Sequence, residues 1–198
     1  MKKSLSTASV VAVIVLGLSG CAGYQAASLK RLSSEFSPHA HTYKGISFSA
    51  RRFTDQDCKT YLGRDVIKAG YQPVQITIHN NSDRTLIFST DSVSLPCVDA
   101  SVVAKEVHTS TMSRALAWGI PGLFFWPLLI PAAVDSVGSS EANTQLDADF
   151  AGKALGEKLI MPSSTINGVI FIPVSEYHDK FSVTILDQDT REKIIFSL

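Results

Sequence analysis

The chain has no excess charge of either sign: eighteen Lys and Arg balance eighteen Asp and Glu. A basic excess would point to nucleic acid and an acidic one to metal buffering, and neither is expected here. The common chemical signatures are missing as well. There is no Gly-x-Ser-x-Gly elbow, P-loop, His-Glu-x-x-His or dinucleotide fingerprint. The EF-hand pattern with its Gly and terminal Glu is absent, so Asp55-x-Asp57 and Asp147-x-Asp149 read as solvated or capping groups. His39-x-His41 has no convincing third ligand near it, and two His in a flexible segment rarely define a site. His79, His108 and His178 are scattered. These absences lead to an expectation of no metal, no cofactor and no nucleic-acid partner.

What is present begins with Met1-Lys2-Lys3, a short apolar run ending at Leu18, and then Ser19-Gly20-Cys21. A basic start, an apolar stretch and small residues before a cut are the marks of a secretory signal peptide. Leu18-Ser19-Gly20-Cys21 resembles the lipobox of bacterial lipoproteins. That resemblance implies cleavage before Cys21, a diacylglyceryl thioether on Cys21 and usually an amide-linked acyl chain such as palmitate. Two acyl chains already give stable attachment, at roughly 0.8 kcal/mol per buried CH₂. Ala22 rather than Asp after the cysteine implies, by the sorting rule of the family, the periplasmic face of the outer membrane. The alternative is a plain signal anchor with Cys21 incidental.

With the leader removed, sixteen basic groups face eighteen acidic ones. The length suits one domain with a proper core. Cys58 and Cys97 remain, and the sequence leaves two options open: a disulfide closing a loop of about 40 residues, or two buried free thiols.

Residues 21–44 read as a lipidated tether, with an r.m.s. reach of about 25 Å if flexible. Leu29, Leu32 and Phe36 fall at helical spacing and predict a short helix within 25–36. Strands are expected at 45–53, 72–79, 84–90, 157–161, 165–173, 181–186 and 192–196, with a short helix or turn in 55–69. The turn cluster Asn80-Asn81-Ser82-Asp83 predicts that 72–79 and 84–90 form a hairpin. A strand ending in Asn80-Asn81-Ser82, followed later by a Pro162 turn and Gly168-Val169-Ile170-Phe171, resembles small immunoglobulin-like domains of bacterial envelope lipoproteins. That implies a mainly β, immunoglobulin-like sandwich over 45–198. Asp187-Gln188-Asp189-Thr190 looks like the nucleophile motif of haloacid-dehalogenase-type phosphatases. Only eight residues follow it, so an acidic hairpin turn is expected instead.

An α-helical insertion is expected at about 99–156. Ala100, Val103, Ala104 and Val107 share a helical face with Asp99 as N-cap. Ala142, Leu146, Phe150 and Ala154 form the stripe of a second helix over 139–155. Between them, 115–134 carries no charge and holds Pro121, Pro127, Pro131, Gly119 and Gly122. Its length alone suits a membrane span. The prolines, and strands of one sandwich on both sides of it, argue against a single crossing. A re-entrant hairpin or a partner contact remains open, as does packing on the domain itself or within an oligomer. Contact would fall on Trp118, Phe124, Phe125, Trp126 and Leu128.

The expected role is a non-catalytic interaction or structural module, held to the membrane by its lipid and meeting an envelope protein or its own copies. An envelope enzyme with a site assembled by the fold, or a self-assembling structural protein, is the alternative.

Overall fold

The computed structural model describes residues 24–33, 39–108 and 129–198. The chain divides into two compact units, Met1–Tyr24 with Thr109–Gln145, and Gln25–His108 with Leu146–Leu198. The second unit is mainly β and holds two antiparallel four-stranded sheets. The first sheet runs in the order β1 (His39–Tyr43), β2 (Ile46–Arg52), β3 (Tyr71–Asn80), β6 (Ser164–Pro173). The second runs β5 (Lys158–Ile160), β4 (Leu86–Phe88), β7 (Ser182–Asp187), β8 (Lys193–Ser197).

Alternation in the sequence puts an apolar row of every strand but β1 on an inner face. Ile46, Phe48, Val74, Ile76, Ile78, Ile170 and Ile172 of the first sheet share a core with Leu86, Phe88, Ile160, Val183, Ile185, Ile194 and Phe196 of the second. Phe48 stacks on Phe196 with ring centroids 5.1 Å apart.

The other face of the first sheet carries a second layer. A one-turn helix α1 (Asp55–Asp57) runs into a π turn at Cys58–Leu62. α2 (Ala100–Glu106) starts at Asp99, whose carboxylate accepts from the Ser101 N–H at 2.7 Å, as its capping role requires. α3 spans Leu129–Lys153, and its last turns, from Leu146 on, belong to this unit. Its expected stripe is buried at Ala142, Leu146 and Phe150, and Phe150 stacks on Phe171 of β6 at 5.7 Å. The described helix already includes residues 129–138, ahead of the expected start at 139, with Pro131 among them.

Three expectations are corrected. The two strands expected to form a hairpin exist, but β3 pairs with β2 and β6 while β4 pairs with β5 and β7. The chain arches from one sheet to the other, because Ile76 and Ile78 on one strand and Leu86 and Phe88 on the other face the same core. Asn80, fully buried, closes the arch. Its amide donates to the carbonyls of Arg84 (2.7 Å), Ile160 (3.1 Å) and Met161 (3.2 Å), and its oxygen accepts from Ser82. Residues 25–33 are not helical; their main chain is bonded to the body instead. His39–Tyr43, assigned by sequence to the tether, pairs with β2. Of the two options the sequence left open for Cys58 and Cys97, the structure has free thiols. Cys97 packs against the core between the sheets, whereas Cys58 is buried outside that cluster.

Candidate functional site

β3 places Gln75 and Thr77 on the outer face of the first sheet, opposite Val169 and Asn167 of β6 and beside Arg51 and Ser49 of β2. Buried polar groups need partners, and here the amino-terminal segment supplies them. The Gln75 amide donates to the Lys30 carbonyl at 2.6 Å and to Asn167 Oδ1 at 2.9 Å. The Thr77 hydroxyl donates to Asn167 Oδ1 at 2.7 Å and accepts from the Leu32 N–H at 3.1 Å. Residues 25–33 thus form a strap whose 30–32 stretch follows β3 and is held through main-chain atoms. Such contacts tolerate many side chains on the strap and fix the sheet residues.

The strap's amino end meets the turn at 58–64, where the Ala27 N–H donates to the Thr60 carbonyl at 2.7 Å. A capping box sets this turn: Thr54 Oγ1 accepts from the Asp57 N–H at 3.1 Å, and Asp57 Oδ2 accepts from the Thr54 N–H at 3.0 Å. Burial alone would raise the Asp57 carboxyl. The Thr54 hydrogen bonds and the Arg51 guanidinium, 3.2 Å away, outweigh it and hold the group below the usual carboxylate range. Gly63 at φ 61° ends the turn in the left-handed region.

Both helices are tied to the same turn. Arg64 Nε donates to the Val107 carbonyl just past α2 at 3.2 Å, and Lys153 Nζ at the end of α3 donates to the Tyr61 carbonyl at 2.6 Å. His108 and Asp147 meet at 2.7 Å where the chain leaves and re-enters this unit. One turn therefore gathers the strap, the end of α2 and the end of α3.

Two other polar places lie on the body. At one end, Arg84 Nη1 sits 3.2 Å from Asp187 and 3.1 Å from Glu192, which also pairs with Lys44. Asp187 Oδ1 accepts from the Asp189 and Thr190 N–H groups, so Asp187-Gln188-Asp189-Thr190 is the turn between β7 and β8. The Thr190 N–H is the main reason the Asp187 carboxyl lies below its ordinary range. At the side, an open groove of about 290 Å³ is lined by Arg52, Tyr177, Asp179 and Phe181. Burial, followed by the hydrogen bond to Asp179, pushes the Tyr177 hydroxyl up to about 12. Burial likewise pushes both free thiols up to about 11, so they are protonated and poor nucleophiles near neutral pH.

Cys21, Trp118, Phe124, Phe125, Trp126 and Leu128 lie outside the described residues. The structure does not bring Cys58 and Cys97 together. Among the described residues no group of three or more His, Cys, Asp and Glu is placed to hold a metal, and no helix is long and apolar enough to cross a membrane. Gln75, Thr77 and Asn167 escaped the sequence reading. Their one signal was a polar row on strands central enough to be covered on both faces. No family model matches this chain, and neither a curated protein nor a solved structure matches it.

Proposed function

We propose that the chain is a lipid-anchored envelope lipoprotein whose body works as a non-catalytic interaction or structural module on the periplasmic face of the outer membrane. The observation that carries this reading is Leu18-Ser19-Gly20-Cys21 after a basic start and a short apolar run. The two facing sheets suit an immunoglobulin-like sandwich, the finer architecture proposed here. The polar side chains supporting a non-catalytic role are those already committed to structure: Asn80 to the arch, Asp187 to a hairpin turn, Gln75 and Thr77 to the strap.

The test is fractionation of cells making the chain and a Cys21→Ala variant behind a cleavable non-lipoprotein signal, with intact mass of the mature protein. The expected mass carries two or three acyl chains on a chain starting at Cys21. The variant is expected to leave the membrane as a folded protein. An unmodified Cys21 in the mature protein overturns the reading. In the same preparation, Phe125→Asp is expected to abolish capture of membrane or partner by 115–134 while the body stays folded. Persistent capture by the folded variant removes Trp118, Phe124, Phe125, Trp126 and Leu128 from the contact.

A further inference from the structure

A lipidated chain with a flexible tether lets its domain drift and tumble; the strap removes most of that freedom. Ala27 is the first strap residue whose N–H is bonded to the body, at Thr60. From Cys21 to Ala27 a fully extended chain spans at most about 20 Å. A free linker running to residue 44 would extend to roughly four times that. The strap is then fixed twice more, at Lys30 and Leu32, by side chains from the middle of a central strand.

Resting on the lipoprotein reading above, we infer that residues 25–33 are a built-in mount that holds the 58–64 turn toward the lipid surface and sets the orientation of the body. Three bonds spaced along the strap resist rotation about any one of them. The second observation is independent of the strap. The carbonyl of Val107, where the chain leaves toward residue 109, is bonded to Arg64 of the same turn. Departure toward Cys21 and departure toward residue 109 therefore share one end of the unit. A mounted body presents that end to the leaflet carrying the lipid, so the partner it serves is the lipid surface itself and not a protein across the periplasm.

The experiment uses the full mature protein reconstituted into phosphatidylethanolamine/phosphatidylglycerol vesicles. Amide exchange is read at Ala27, and trypsin cleavage is read after the exposed Lys30 and Arg31. Fluorescent non-natural residues at positions 59 and 195 report energy transfer to headgroup-labelled lipid. The strap is released in two ways. Thr77→Val removes the acceptor for Leu32, and Leu32→Pro removes the donor without altering the sheet.

Exchange at Ala27 and cleavage at Lys30 and Arg31 are expected to be at least about tenfold slower in the parent than in either variant. Transfer is expected to be stronger from position 59 than from position 195, with the difference lost in Leu32→Pro. Equal transfer from the two positions in the parent overturns the mount. So does a strap that exchanges as fast in the parent as in Leu32→Pro, when intact mass shows the acyl chains. Absence of the acyl chains overturns the lipoprotein reading, and the mount falls with it even if the strap is protected.

Discussion

In β8 burial follows the sequence: Ile194 and Phe196 are 2% and 3% exposed, while Ile195 between them is 61% exposed. β3 has the same two-residue period, with Val74, Ile76 and Ile78 facing the core. Yet Gln75 and Thr77 on its other face are 1% and 5% exposed. Among the described residues, one sheet is covered on both sides and the other on one. The strand pattern is identical because the period reports which side is apolar, not whether the polar side is wet. A covered polar row then needs hydrogen-bond partners from another part of the chain, and that need is what recruits the strap.

The sharpest way to break the contrast is to delete apolar volume on the outer face of the first sheet. Phe171 is 1% exposed and stacked on Phe150. Phe171→Ala is expected to cost about 3–5 kcal/mol, read as a fall in the urea midpoint. An effect below about 1 kcal/mol would mean the second layer is not packed as a core.

A smaller effect is expected at Gly168, where the Lys153 carbonyl and Leu155 run close beside β6. A Cβ there would lie 2.7 Å from the Lys153 carbonyl oxygen and 2.7 Å from Leu155 Cγ. Backbone cannot yield as a side chain end can, so Gly168→Ala is expected to cost about 1–3 kcal/mol. It is also expected to speed amide exchange at Leu155, which donates to the Val169 carbonyl. Unchanged exchange there would show that the helix end does not depend on this close approach.

These contacts also mark where the sequence stopped being readable. The carboxyl-terminal strands were legible because their apolar rows alternate, and α2 and α3 because their stripes and Asp99 obey helical rules. β1 was not, since His39-Ala40-His41-Thr42-Tyr43 is a polar edge with no apolar row. Its turn, Lys44 at φ 49° and Gly45 at φ 78°, lacks the usual Asn or Asp before the glycine. The arch after Asn80 was misread because hairpin and arch use the same turn residues. What separates them is which way the next strand's apolar face points, a tertiary fact. The strap left no trace, because its bonds run through the main-chain atoms of Ala27, Lys30 and Leu32. The proposed anchor at Cys21 rests on sequence alone, and the strap rests on structure alone.

Acid should loosen both regions. The Asp57 carboxyl is held low despite its burial by Thr54 and Arg51, and the Asp187 carboxyl chiefly by the Thr190 N–H. Each takes up a proton less readily folded than unfolded. Their contribution to stability is therefore present above the ordinary carboxylate pKa of about 4 and is lost as pH falls through the lowered native value. The urea midpoint is expected to drop between about pH 5 and pH 2. Asp57→Asn is expected to flatten part of that drop while slowing nothing at Asp187. A midpoint that does not change with pH over that range would remove both carboxylates from the account.

The smallest effect belongs to the open face. Ile195 stands on the outer side of β8 opposite Thr184 of β7, and Leu159 on β5 is 58% exposed. Ile195→Thr keeps a β-branched side chain, so it preserves strand propensity and deletes only exposed apolar surface. Stability is expected to stay within about 0.5 kcal/mol of the parent. The opposite exchange on the covered sheet, Thr77→Val, makes the residue more apolar yet is expected to destabilise, because the Leu32 N–H loses its acceptor. Polarity added on one sheet is harmless and polarity removed from the other is costly. Urea melts of these two variants side by side test that reversal. A large loss from Ile195→Thr would show that the face of the second sheet is covered in solution as the first one is.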